Sequence, residues 1–158
     1  MKLQRVVFLI ICGVPLFFSC LSGRAVSERD MQSSNEQALG SFSISSRIFG
    51  NNTFTPYSCD AGDRQFFLGG DFTDQSSSLV LRLVVDPLNG PAVLLFSPES
   101  PFEKSVVFHR SDCRVFHFSL DSTGWRVNDI GDYRLTLQLD CSRDGESLNG
   151  SASTTHCR

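Results

Sequence analysis

Residues 133 to 155 constrain the fold most. Tyr133, Leu135, Leu137 and Leu139 alternate with Arg134, Thr136 and Gln138, the period of a half-buried strand. Asp144-Gly145 then supplies the two-residue turn that closes an antiparallel hairpin. Pairing through that turn sets Cys141 opposite Leu148, Leu139 opposite Gly150 and Leu137 opposite Ala152. The inner face of the returning strand is then small: Leu148, Gly150, Ala152, Thr154. Either a bulky neighbour fills that space or the strand lies at a sheet edge.

The same period runs through the chain from Ser41. Phe42, Ile44 and Ile48 share a parity, and Gly50-Asn51-Asn52 offers a turn that returns through Thr53–Cys59. Further strands are expected at Arg64–Asp71, Leu79–Val85, Ala92–Phe96, Val106–His109, Arg114–Leu120, Tyr133–Cys141 and Glu146–Thr155. Leu79–Val85 reads as a strand buried on both faces, interrupted by Arg82, for which an interior role as an ion-pair partner of an Asp is favoured. Short strands at close spacing with no helical pattern predict an all-β domain: an antiparallel β-sandwich or partly open barrel of 8–9 strands over residues 41–158.

Residues 1–19 have the layout of a secretory signal. Lys2 and Arg5 begin it, and Val6–Phe18 follows without a charge. That run of thirteen residues is shorter than the ~17–25 a membrane-spanning helix needs, and it contains Pro15. Residues 20–40 are polar and carry no aromatic side chain, so they read as a tether. Removal of Lys2 and Arg5 leaves 12 of the 14 basic side chains against 17 acidic ones. With no basic stripe, nucleic acid is not an expected partner.

Export decides how the cysteines are read. In an oxidising compartment Cys59, Cys113, Cys141 and Cys157 predict two disulfides. The hairpin register carries Cys157 far along the sheet from Cys141, beyond the ~7 Å that a bridge spans. Of the two connectivities left, Cys113–Cys141 with Cys59–Cys157 is favoured. Antiparallel pairing of Arg114–Leu120 with Tyr133–Cys141 would bring the first pair to one end.

No catalytic motif is present: no GxSxG, HExxH, P-loop or GxGxxG. His109, Cys113 and His117 have a tempting spacing, but on a strand the outer two stand about 26 Å apart and cannot share an ion. The Asp pairs 60/63, 71/74 and 129/132 lack the calcium-loop spacing and are read as turn residues. No cofactor is expected. Asn51-Asn52-Thr53 and Asn149-Gly150-Ser151 match the glycosylation sequon, which bears only on a eukaryotic secretory host. Trp125 falls in an expected loop, Asp121–Gly131; it either caps the core, the commoner outcome, or stands out as a binding anchor. Pro98–Lys104 is a second loop able to reach a partner.

Phe17-Phe18-Ser19-Cys20 resembles a bacterial lipobox, with Phe17 where the pattern has Leu. The resemblance implies that Cys20 becomes a lipid-carrying (palmitate) first residue, an anchor worth about 0.8 kcal/mol per buried methylene. Leu21 after it, in place of an inner-membrane-retaining Asp, implies the outer membrane. The alternative is cleavage near Gly23-Arg24-Ala25 and release as a soluble secreted protein. The stretch Tyr133–Cys141, Gly145, Leu148-Asn149-Gly150 and Cys157 is similar to the ending of small uncharacterised bacterial lipoproteins. Ser58-Cys59, Gly62, Arg64, Phe67, Gly69 and Asp71 are similar to their opening. This likeness spans about half the chain and implies a lipid-anchored, disulfide-bonded β domain without an assigned activity. Tyr57-Ser58-Cys59-Asp60 also resembles the opening of periplasmic lysozyme-inhibitor lipoproteins. The expected function is therefore a non-enzymatic envelope module that binds a protein or glycan. An inhibitor of a secreted hydrolase is the alternative, and a hydrolase with a dispersed site stands behind both.

Overall fold

The computed structural model describes residues 39–76 and 78–158. The signal segment, the lipidation site Cys20 and nearly all of the tether lie outside the described residues. Leu39 and Gly40, the last two residues read as tether, already belong to the fold. Leu39 donates to the carbonyl of Pro56 and accepts from the amide of Ser153, and Gly40 starts the first strand.

Among the described residues, ten strands form two antiparallel five-stranded sheets. They are β1 (Gly40–Ser46), β2 (Gly50–Phe54), β3 (Pro56–Ala61), β4 (Gly69–Asp74), β5 (Val80–Asp86), β6 (Gly90–Phe96), β7 (Ser105–His109), β8 (Cys113–Val127), β9 (Ile130–Arg143) and β10 (Glu146–Cys157). One sheet has the order β2-β1-β10-β9-β8 and the other β3-β4-β5-β6-β7. The fold is a β-sandwich, not a closed barrel.

The sheets cross at a steep angle. Edge strand β3 is tied to one end of the first sheet by the Cys59–Cys157 disulfide, and Gly70 of β4 sits against Leu135 and Cys157. Edge strand β7 meets the opposite end, where Ser105–Val107 share a cleft with Arg143, Asp144 and Glu146. The order of the second sheet therefore runs along the strands of the first, an orthogonal packing. Between them lie Phe42, Phe54, Leu135, Leu137, Leu139 and Leu148 from one side, and Phe72, Leu81, Leu83, Val93, Leu95 and Phe108 from the other. Removing these side chains from water is the main favourable term in folding.

The last hairpin has the register read from its turn: Cys141 faces Leu148, Leu139 faces Gly150 and Leu137 faces Ala152. Its small inner face is filled, because β10 lies centrally and Phe42 of β1 packs over Gly150. A β-carbon at Gly150 would come within 2.6 Å of Phe42 Cα.

Several expected elements differ. Arg64–Asp71 is not one strand. A 3-10 turn, Gly62–Gln65, comes first, Phe66 takes a left-handed conformation (φ 61°), and β4 begins at Gly69. The turn wins because the amides of Phe66 and Phe67 donate back to the carbonyls of Asp63 and Gly62. Thr53–Cys59 is not one strand either; the chain changes sheet at Thr55, which raises the strand count to ten. Strand β5 buries Leu81 and Leu83 fully, but Val84 and Val85 stay half-exposed, so it is not buried on both faces. Arg82 has the expected Asp partner and a mostly buried side chain, but it lies on the outer face of its sheet and not between the sheets. It forms a bidentate pair with Asp71 (2.7 and 2.6 Å) and its guanidinium stacks on Phe67 and Phe96. Asp121–Gly131 is not a loop: β8 and β9 continue through it as a ladder closed by Asn128-Asp129.

Candidate functional site

The β8–β9 hairpin outruns its sheet. The last pair that β10 makes with β9 is Cys157 with Tyr133, so among the described residues the hairpin beyond Ser122 and Tyr133 has no third strand beside it. Asn128 and Asp129 both have positive φ (51° and 65°), as the tight primed turn at its tip requires. Gly124 (φ 82°) takes up a bulge between Ser122 and Arg126, and Thr123 bridges it by donating its hydroxyl to the carbonyl of Asp132 at 3.0 Å. This arm carries Trp125, 75% exposed, and Val127. Trp125 therefore caps nothing in the core.

Two side chains, Asp63 and Tyr133, brace the arm at its base. Asp63, from the 3-10 turn, accepts from the amide of Gly131 (3.1 Å) and from the hydroxyl of Tyr133 (3.0 Å). Burial, with the Asp63 carboxylate beside it, raises the Tyr133 hydroxyl above its ordinary pKa, so it stays a donor. The same turn presents Phe66, 98% exposed, with Leu68 exposed two residues on. A phenylalanine in left-handed backbone costs about 1–2 kcal/mol over an extended one. Strained backbone of this kind collects at functional sites. One carboxylate, Asp63, thus pins two elements that display Phe66 on one side and Trp125 with Val127 on the other.

Asp132 is the second feature. It is 3% exposed, and its Oδ2 takes hydrogen bonds from His156 Nδ1 (2.9 Å) and the Thr123 hydroxyl (3.0 Å). Burial pushes its carboxyl pKa up. The bonds from His156 and Thr123, with the positive field of His156 and Arg158, outweigh burial and hold it below the ordinary value. Its Oδ1 is buried with no partner among the described residues. His156 is 63% exposed at the side chain. The pair orients an imidazole with Nε2 free, but Thr123 bonds to the carboxylate and not to that nitrogen, so no nucleophile is set up between them.

The other predicted residues fall elsewhere. Cys59–Cys157 joins the two sheets beside the arm, and Cys113–Cys141 staples β8 to β9 at the far end. Among the described residues no cluster of His, Cys, Asp and Glu could hold a metal ion. The loop Pro98–Lys104 exposes Phe102 between β6 and β7, at the other end of the second sheet's strands from Phe66, so the two aromatics do not share a surface. Sequence reasoning missed Phe66, Asp63 and the Asp132–His156 pair. Asp60-Ala61-Gly62-Asp63 signalled the turn, but the partner of Asp63 lies 68 residues away. No family model, curated protein or solved structure matches the chain.

Proposed function

We propose that this chain is an exported, non-enzymatic binding module that seizes a protein partner with the β8–β9 arm. The arm carries this reading: a braced hairpin outside the sheet, with Trp125 exposed at its bulge and Phe66 held near its base through Asp63. Large aromatic side chains in such positions supply most of the binding energy in protein interfaces. The setting is the cell envelope, with Cys20 as lipid anchor; two disulfides suit that oxidising compartment. A partner with a cleft, such as a secreted hydrolase, would accept the arm as a plug, and the rigid ladder beside the Cys59–Cys157 bridge favours that variant of the reading.

The deciding experiment is capture from the native envelope with the full chain and with Trp125→Ala. A protein retained by the first and lost by the second supports the reading; equal retention refutes the arm as the site. Anchoring is tested separately: unchanged processing and full release of both wild type and Cys20→Ala would refute lipidation. The second reading is a hydrolase in which His156, oriented by Asp132, serves as general base toward a water, since no side-chain nucleophile stands beside it. Hydrolysis of ester or glycoside probes, abolished in His156→Ala, would establish it.

A further inference from the structure

Strand β8 is the outer strand of its sheet, and its free edge has a definite polarity. In the two-residue turn Asp144-Gly145, the flanking pair Arg143–Glu146 exchanges backbone hydrogen bonds. Every second pair does likewise, so Leu139 and Leu137 direct their backbone groups to β10. Phe116 and Phe118, which face them across β8–β9, must direct theirs away from β9; so must Leu120. The carbonyl of Phe116 does point there, since Arg110 donates to it at 2.8 Å. Between that cap and the bulge after Ser122, the backbone groups of Phe118 and Leu120 have no hydrogen-bond partner among the described residues. Unpaired edges of this kind pair with other strands unless something blocks them.

The side chains on this stretch read His117-Phe118-Ser119-Leu120-Asp121. Turned end for end about Ser119, the stretch matches itself. His117 then faces Asp121, Phe118 faces Leu120 and Ser119 faces Ser119. His117, Ser119 and Asp121 are exposed on the outer face, while Phe118 and Leu120 are half-buried on the inner one. We propose that two copies of this chain associate through antiparallel β8–β8 pairing centred on Ser119, which makes one continuous sheet across a two-fold axis.

In that register Phe118 and Leu120 of opposite copies form the hydrogen-bonded pairs, using the groups left free in the single chain. His117 donates an imidazole N–H to Asp121 of the other copy, twice by symmetry. The half-exposed Phe118 and Leu120 cover each other and extend the core. The Arg110 cap and the bulge at Ser122–Arg126 bound the paired stretch at its two ends, so the edge closes as a dimer. The arm beyond the bulge lies outside the stretch paired between copies, and the pairing is independent of the partner-binding role of Trp125.

The test is positional crosslinking in the full chain. Ser119 would face its own copy in a pair that is not hydrogen-bonded, with Cα atoms about 4.5 Å apart, within disulfide reach. Ser119→Cys is expected to yield a disulfide-linked dimer under mild oxidation, mapped by mass spectrometry to a 119–119 peptide. His117→Cys alone is expected to give no 117–117 link, while His117→Cys with Asp121→Cys gives 117–121. Sedimentation reads the same contact without cysteines. Asp121→Arg is expected to weaken self-association about threefold or more, and adding His117→Glu to restore it. A monomer mass at all concentrations for wild type, or crosslinks in a different register, overturns the proposal.

Discussion

Breaking the Cys59–Cys157 bridge should cost more stability than breaking Cys113–Cys141, by an amount that the nesting of the two loops sets. The bridges span 98 and 28 residues, and the shorter loop lies inside the longer one. With the inner bridge closed, the outer one restrains an effective loop of about 70 residues. In the chain-entropy treatment that is worth about 4.4 kcal/mol, against about 3.6 kcal/mol for the inner loop. Cys157 and Cys141 are both buried, so alanine leaves a small cavity at either and does not change the order. For the roughly 120 described residues, an unfolding entropy near 2.1 cal/mol/K per residue gives a fall in Tm of about 18 °C for the outer pair. Such a loss is a large part of the ~5–15 kcal/mol that holds a domain together. The assay is guanidinium unfolding of Cys59→Ala/Cys157→Ala and Cys113→Ala/Cys141→Ala beside wild type. A smaller loss in the outer variant than in the inner one, or an outer loss below about 2 kcal/mol, would refute the account. Packing alone would then hold the orthogonal sheets together.

Four further outcomes are expected. Arg82→Met should cost about 2–3 kcal/mol, because it leaves the buried Asp71 carboxylate with only Gln65, and Asp71→Leu added to it should recover most of that loss in urea unfolding. Asp132 has its pKa lowered in the fold, so the stability it contributes is complete above the ordinary carboxyl value and disappears as pH falls through the lower folded value. Asp132→Asn should therefore be less stable at neutral pH and less sensitive to pH below about 4; parallel acid limbs in the two proteins would refute this. Gly150→Ala should unfold the domain or cost about 3 kcal/mol or more by thermal melting, since the new methyl would strike Phe42 and the carbonyl of Ser41. Asp63→Ala should speed hydrogen exchange at Gly131 and through the arm while leaving the amides of β5 and β6 protected.

Local alternation made the sandwich legible. Wherever one face of a strand meets the core, the apolar residues recur in twos, as in β9, and the turn pair Asp144-Gly145 sets the register without reference to the rest of the chain. The same rule misread Arg64–Asp71, where Phe66 and Phe67 supply apolar character but back-bonded amides make a 3-10 turn. It misread Arg82 for a related reason. Leucine on both sides marks the face that Arg82 does not share, so its neighbours reported the core while its own side chain lay with Phe67 and Phe96 on the other face.

The arm was hidden by its composition. Asp121-Ser122-Thr123-Gly124 has the residues of a turn, and here they build a bulge within a continuous ladder. A bulge and a turn draw on the same residues because both need positive φ or a side chain that bonds nearby backbone. What separates them is support from elsewhere, and here it comes from the Asp63 carboxylate, 68 residues before the Gly131 amide it accepts from. A contact of that span leaves no period and no spacing to find. The element proposed to bind is thus held by long-range bonds, whereas the edge proposed to dimerise is written in five consecutive residues. That difference separates the two proposals experimentally: Asp63→Ala should loosen the arm and weaken partner capture while the β8 edge still pairs, and Asp121→Arg should do the reverse.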